Sequence, residues 1–221
     1  MIQKKLAGEK AAEFVEDGMI VGLGSGSTVY YTIQKLGELV KNGLHIKGVS
    51  TSSRTSSLAA SLGIQLVSLN EVEKIDLTID GADEVDRNFN GIKGGGGALL
   101  FEKMVAKASA KNIWVVDQSK RVNALGSFPL PVEVIPFGYT HVNKALQEIG
   151  FKPVLRTENG EPFQTDSHHY ILDIHTGSID DPHALHQWLK SLTGVVETGL
   201  FIDIADAVIV GEKQTASIVT K

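Results

Sequence analysis

Met19-Ile20-Val21-Gly22-Leu23-Gly24-Ser25-Gly26-Ser27-Thr28 is the stretch on which the fold turns. Its first part is an apolar run that stops at glycine, the pattern of a buried strand followed by a tight turn. Ser27 and Thr28 then stand where a helix would be capped, and Ile33, Leu36 and Val40 recur at helical spacing behind them. A strand, a glycine turn and a helix make the first half of a βαβ unit.

Outward from that unit the alternation continues. A helix is expected over Leu6–Val15 before it. After it come a strand over Leu44–Val49, a helix over Ser53–Leu62 and an extended Gln65–Val67. A strand over Ile75–Ile79 then ends at Asp80, a loop runs through Gly97, and a helix over Ala98–Ala110 precedes a strand over Asn112–Val116. Strands alternating with helices predict a doubly wound, mostly parallel α/β sheet of Rossmann-like type. The texture changes near Phe128-Pro129-Leu130-Pro131. From there the order is strand (Val132–Ile135), helix (Thr140–Ile149), strand (Lys152–Arg156), strand (Tyr170–His175), helix (Pro182–Leu192), strand (Val195–Phe201). That β-α-β-β-α-β order predicts a second, smaller α+β domain of ferredoxin-like type. Ala207–Val210 would return to the first sheet. The expected domains are therefore 1–127 plus 205–221, and 128–204.

Composition narrows the chemistry. With no cysteine among 221 residues, disulfides, thiolate catalysis and cysteine-held metal are excluded. A net charge of −5 without a basic stripe argues against a nucleic-acid partner. The first ten residues have no apolar core of a signal peptide, and no stretch has the length of a membrane span, so a cytoplasmic protein with no membrane partner is expected.

In the loop Gly22 to Thr28, glycines let backbone approach a ligand, and a helix N-terminus offers N–H groups to an anion. Ser25, Ser27 and Thr28 add hydroxyls, which predicts phosphate binding; a tight turn before a capped helix is the alternative. A dinucleotide fingerprint needs glycine where Ser27 stands and an acidic residue where Ser50-Thr51-Ser52 lies, and no Walker A ending is present. A small phosphoester fits best.

Asp80-Gly81-Ala82-Asp83-Glu84-Val85-Asp86 follows a strand, so Asp80 belongs on the carboxyl rim where α/β sheets bind ligands. Its carboxylates suit sugar hydroxyls or proton transfer, or else a solvated Asx-type turn. Asp86 to Gly91 imitates half of a calcium loop, but Gly97 stands where the bidentate glutamate is needed. Magnesium on Asp80 and Asp83 remains open. His183 and His186 share a helix face with no third ligand nearby, and the histidines carry no metal assignment.

Lys93-Gly94-Gly95-Gly96-Gly97 is costly as helix or strand, about 0.5–1 kcal/mol per glycine against alanine. It reads as an N–H-lined nest for an oxyanion with a cation beside it, or as a flexible linker. Glu102 has Ala98, Leu99, Val105 and Ala106 at its helical neighbours, none of which can pair with it. A carboxyl among apolar side chains is expected to be desolvated, which raises its pKa toward that of a general base; a helix-dipole role is the alternative.

Taken in order, Gly24-Ser25-Gly26-Ser27-Thr28, Asp80-Gly81-Ala82-Asp83-Glu84, Lys93-Gly94-Gly95-Gly96 and Glu102 closely resemble the type A ribose-5-phosphate isomerase family. The resemblance extends to Asp117-Gln118-Ser119-Lys120 and covers nearly the whole chain. It implies an aldose–ketose isomerase of the non-oxidative pentose phosphate pathway that acts through a cis-enediolate, needs no metal or other cofactor, and forms a homodimer. By the same resemblance Glu102 would be the base, with Asp80, Asp83 and Lys93 around the reacting oxygens. Ser25, Gly26, Ser27, Thr28, Gly81, Ala82, Gly94, Gly95, Gly96, Lys120 and Lys4 would bind substrate, chiefly its phosphate. Ser25 replaces the threonine usual in this family, and Gly97 the alanine common there. A non-catalytic sugar-phosphate sensor and an acyl-CoA transferase or aminosugar-phosphate deaminase are the rival readings of the same loop.

Overall fold

Strands that are apolar on both faces belong in the middle of a parallel sheet covered by helices. Val21, Leu23, Ile79, Ile113 and Val115 meet that condition, each with at most 1% of its surface exposed. The computed structural model describes all residues from 1 to 221. Along the chain it has α1 (Ile2–Ala12), β1 (Ile20–Leu23), α2 (Val29–Lys41), β2 (Lys47–Ser50), α3 (Ser53–Ser61), β3 (Gln65–Leu66) and β4 (Leu77–Gly81). Then follow β5 (Glu84–Val85), β6 (Gly91–Ile92), α4 (Leu99–Lys107), β7 (Asn112–Asp117), β8 (Leu130–Val134), α5 (Tyr139–Glu148) and β9 (Lys152–Leu155). The chain ends with β10 (Thr157–Glu158), β11 (Glu161–Pro162), β12 (Tyr170–His175), α6 (Pro182–Ser191), β13 (Val195–Thr198), β14 (Leu200–Phe201), β15 (Ala207–Gly211) and β16 (Ala216–Thr220).

Two compact units result. The first comprises 1–82, 101–121 and 204–221, the second 83–100 and 122–203. The first unit holds a seven-stranded sheet in the order β16-β15-β7-β4-β1-β2-β3. All its pairs are parallel except β15 with the edge strand β16. Helix α1 begins at Ile2, four residues before the expected start, and ends at Ala12. Its buried face is made of Ala7, Gly8, Ala11 and Ala12, side chains too small to announce an amphipathic stripe. Small size is what the packing requires: a Cβ on Gly8 would lie 2.7 Å from the Thr28 carbonyl oxygen.

In the second unit β13-β8-β12-β9 form an antiparallel sheet. Numbered within the unit this is the order 4-1-3-2, as the ferredoxin-like pattern requires. Residues 83–100 and 122–127, assigned from sequence to the first domain, cluster with this second unit. The physical reason is local. Ile92 is buried in one core with Leu125, Leu130 and Leu200. The Glu84 carboxylate accepts the N–H groups of Gly126 and Phe128, both at 2.7 Å. β6 pairs with both β5 and β14, strands of two residues each, too short to show any period in sequence.

On β8, Leu130, Val132 and Val134 join the helix-packed core while Glu133 points to the opposite face. Glu133 is fully buried. Its Oε1 accepts from the Thr165 hydroxyl at 3.0 Å and lies 3.0 Å from His169 Nδ1. Burial pushes its carboxyl up from the ordinary value of 4.5, against the lowering by His169 and Thr165; the cross-strand neighbour Glu197 adds to the rise. The folded chain therefore holds a proton that the unfolded chain releases. Stability relative to Glu133→Gln should be highest in acid and fall as pH climbs past about 4.5. Urea midpoints of the two proteins across a pH series test this. A relative stability that rises with pH would mean that the histidine pairing dominates.

Candidate active site

Parallel strands β2, β1, β4 and β7 share one direction, so their carboxyl ends deliver four connections to one rim of the first sheet. These carry Thr51-Ser52, Gly24 to Thr28, Asp80 to Ala82, and Asp117 to Lys120. The glycine loop is seated directly on Asp80: a Cβ on Gly24 would fall 2.1 Å from Asp80 Oδ1. Asp80 is 2% exposed, and its Oδ1 accepts N–H groups from Ser25 at 3.1 Å and Gly81 at 2.7 Å. Charged acceptor and backbone donors fix the carboxylate and the loop together.

The Ser25 hydroxyl turns inward. It lies 2.9 Å from Thr51 Oγ1, 2.6 Å from Ser52 Oγ and 3.1 Å from Thr55 Oγ1. A hydroxyl has one proton to donate, so Ser25 donates to one of these oxygens and shares the cluster with the others. Thr55 in turn donates to the Gly24 carbonyl at 3.0 Å and Thr51 to the Leu23 carbonyl at 3.1 Å. Ser52, Arg54 and Thr55 had drawn no assignment from sequence. The signal available was their place after the strand next to β1.

Gly26 adopts φ +120°, a conformation that favours glycine. Thr28 was expected to cap α2, yet it has a helical backbone and makes no side-chain capping bond. The helical turn already starts at Gly26, whose carbonyl accepts the Tyr30 N–H at 3.0 Å, so the cap geometry lies further back. Ser27 is exposed and its Oγ accepts from Lys4 Nζ at 2.9 Å. The close fit of Gly8 against the start of α2 brings Lys4, one helical turn earlier, to that hydroxyl. Lys120 ends a short turn tied back by the Ser119 N–H on Asp117 Oδ1 at 3.0 Å. A cleft of about 290 Å³ opens beside the loop, bounded by Ser25, Ser27, Tyr30, Tyr31, Ser52 and Arg54.

Glu102 is 4% exposed on α4. Val105, three residues on and on the same helix face, packs against Val49 and Ile75. A Cβ on Gly22 would lie 2.8 Å from Val105 Cγ1, so α4 presses closely on β1. Glu102 therefore sits on the buried side of its helix, as its apolar neighbours foretold.

The second unit gathers the remaining assigned residues. Asp83 N–H donates to the Ile92 carbonyl at 2.8 Å, and Lys93 N–H to the Gly199 carbonyl at 2.9 Å. Lys93 is 2% exposed, its ammonium 5.1 Å from the centre of the Phe201 ring. The glycine run is an ordered turn rather than a linker. Gly97 N–H closes it on the Gly94 carbonyl at 3.0 Å, with φ +105° at Gly94 and +82° at Gly97. Gly95 N–H donates to Asp83 Oδ2 at 2.8 Å. Arg156, to which sequence reading gave no role, donates from Nη1 to the carbonyls of Gly94 at 2.8 Å and Gly95 at 3.2 Å.

The calcium-like segment is a turn held by its own backbone: Asp86 Oδ1 accepts from Asn88 and Asn90 N–H at 2.8 and 2.9 Å. His186 Nδ1 lies 2.8 Å from the Thr198 hydroxyl, and His183 lies at the surface 3.6 Å from Asp203.

The family described as ribose 5-phosphate isomerase A (phosphoriboisomerase A) matches residues 47–215. A ribose-5-phosphate isomerase A of Listeria innocua is 57% identical over 211 residues, covering 95% of this chain and 94% of its own length. A solved D-ribose-5-phosphate isomerase in complex with phospho-erythronic acid superposes with TM-score 0.96 at 40% identity, covering 99% of this chain and 98% of that one. The ribose 5-phosphate isomerase A structure from Methanocaldococcus jannaschii gives TM-score 0.94 at 38% identity, with 99% and 98% covered.

Two hydroxyls two residues apart should respond differently to removal. Ser25→Ala breaks the buried hub and should lower unfolding free energy by roughly 1–2 kcal/mol. Ser27→Ala, at an exposed hydroxyl, should leave the urea midpoint unchanged and raise KM for a phosphorylated substrate several-fold. Unfolding curves and initial rates on both proteins separate the two roles.

Proposed function

The chain belongs to the ribose 5-phosphate isomerase A family and interconverts ribose 5-phosphate and ribulose 5-phosphate, and we propose that it does so by proton transfer through a cis-enediolate with Glu102 as the base. The two sugars differ by one hydrogen moved between C2 and C1 and by which of those carbons bears the carbonyl. Glu102 takes the proton from C2 of the open-chain aldose, and the electron pair moves toward O1. The O2 proton passes to O1, the carbonyl forms at C2, and Glu102 returns its proton to C1. One proton leaves carbon and one arrives, so the reaction needs no oxidant.

The observation that carries this reading is the burial of Glu102 on the sheet side of α4. Burial makes a carboxylate's charge costly and favours taking up a proton. Lys93 supplies a buried positive charge and the glycine turn the N–H of Gly96, the two kinds of donor an enediolate oxygen needs, while the Gly95 N–H is spent on Asp83. Asp80 and Asp83, each oriented by backbone N–H groups, open the furanose ring and carry protons between oxygens. Ser25, Gly26, Ser27, Thr28, Lys4 and Lys120 hold the phosphate, with Ser25 acting through its backbone and its hub. Gly81, Ala82 and Gly94 to Gly96 contact the sugar. Phosphate binding energy, remote from the reacting carbons, is available to orient them.

We place the protein in the cytoplasm, in the non-oxidative pentose phosphate pathway, as a homodimer. No helix is long and apolar enough to cross a membrane. The family resemblance supports the dimer, and Phe137, 92% exposed in the second unit, offers apolar surface to a second copy. Light scattering at micromolar concentration tests it, and a monomer mass would remove that part of the reading.

Glu102→Gln is isosteric but cannot accept the carbon-bound proton. Turnover of ribose 5-phosphate should fall on the order of a thousandfold or more, with phospho-erythronic acid still bound. Wild-type-like turnover in this variant rules Glu102 out. In heavy water the product should carry solvent deuterium on carbon, whereas a hydride shift leaves that position unexchanged.

A further inference from the structure

Four consecutive glycines have no side chains to hold their peptide groups in place, and glycine reverses φ at little cost. An N–H-lined turn made of them would rotate its peptides unless something fixes their direction. In the second unit Arg156 sits against the carbonyl side of that turn. Nη1 donates to the carbonyl oxygens of Gly94 at 2.8 Å and Gly95 at 3.2 Å. The other edge of the guanidinium is committed: Nε and Nη2 grip the two oxygens of Asp173 at 2.9 and 2.5 Å. Asp173 stands on β12 in register with Val154 of β9, two residues before Arg156. The fork is therefore anchored to a rigid sheet, and the pair is 15% and 21% exposed. Phe163 completes the support, with its ring centre 5.8 Å from the guanidinium and its edge 2.5 Å from where a Cβ on Gly97 would sit.

Peptide geometry turns this clamp into a statement about donors. Every peptide bond here is trans. In a trans peptide the N–H points opposite to the C=O of the same unit. Pinning the Gly94 and Gly95 carbonyls toward Arg156 thus aims the N–H groups of Gly95 and Gly96 away from it. The Gly95 N–H meets Asp83 Oδ2 at 2.8 Å. Nothing stands within 4 Å of a Cβ position at Gly96. A cation on the carbonyl oxygens also polarises these peptides and strengthens their N–H groups as donors.

We propose that Arg156, held by Asp173, is a positioning residue for the reaction: it sets the direction and donor strength of the glycine-turn amides and, through Gly95, the orientation of Asp83. This rests on the isomerase reading given above, in which those groups meet the developing charge. Such groups matter more in the transition state than in the bound substrate, so their disorder should appear in kcat.

The test uses the full chain with ribose 5-phosphate. Arg156→Ala alone strands the Asp173 carboxylate, so the decisive protein is the double variant Arg156→Ala/Asp173→Ala. It should melt within a few degrees of wild type and keep KM within about threefold, while kcat falls about a hundredfold, the loss expected from a small misplacement of reacting groups. Arg156→Lys, with a charge but no fork, should fall between. Methylguanidinium at non-denaturing concentration should restore part of the lost kcat in Arg156→Ala, which a merely structural role would not allow. A folded double variant with kcat within threefold of wild type overturns the proposal. So does a loss that appears in KM and melting temperature alone. A wild-type chain with no turnover of ribose 5-phosphate would instead sink the isomerase reading, and this inference with it.

Discussion

The contact between Asp80 and the backbone of the first glycine loop governs the rest of the first unit's rim. A carboxylate buried at the end of a parallel strand costs several kcal/mol unless donors meet it. Here the N–H groups of Ser25 and Gly81 meet one oxygen, and the first loop comes that close only because Gly24 has no Cβ. The consequence propagates. With the loop seated, the Ser25 hydroxyl is placed among Thr51, Ser52 and Thr55, which ties the start of α3 to the same loop. The glycine loop is thereby fixed by the fold itself, and any ligand that docks on it has little ordering to do.

The second glycine segment solves a different problem. In the first loop, a missing Cβ permits close approach to a carboxylate that lies underneath. In Gly94 to Gly97, missing side chains permit positive φ at two positions and leave the peptide groups as the only hydrogen-bonding groups of the turn. Such a turn has no intrinsic direction. It acquires one from hydrogen bonds on its carbonyl side, which Arg156 supplies.

Sequence and structure agree where periodicity has room to act. β1, β4, β7 and β12 each run for four to six residues with unbroken or alternating burial, and the amphipathic stripes of α2, α5 and α6 are regular. Glu102 was legible because its helical neighbours offered no partner, and the structure buries it. Legibility ends where geometry is long-range or segments are short. β5, β6 and β14 have two residues each, which cannot display a period, yet they carry residues 83–100 into the second unit. The inward turn of Ser25 depends on three hydroxyls 26 to 30 residues away. Arg156 looked like the end of an ordinary strand, since its partners are carbonyls 61 and 62 residues distant and a carboxylate 17 residues on. Backbone acceptors leave no mark in sequence.

Charge poses the last constraint. The chain carries a net −5, and its substrate is a phosphate ester of the same sign. At physiological ionic strength the field of distant carboxylates is screened over roughly 8 Å, so the overall balance matters less than what lies within that distance. Taken one by one, the acids have local partners: backbone N–H groups meet Asp80, the Gly95 N–H meets Asp83, and Arg156 meets Asp173. Each of these carboxylates is answered by a donor of its own, and Lys4 keeps its ammonium on the Ser27 hydroxyl rather than on an acid. An acidic protein can thus bind an anion without a basic surface, provided its acids are individually satisfied by the fold.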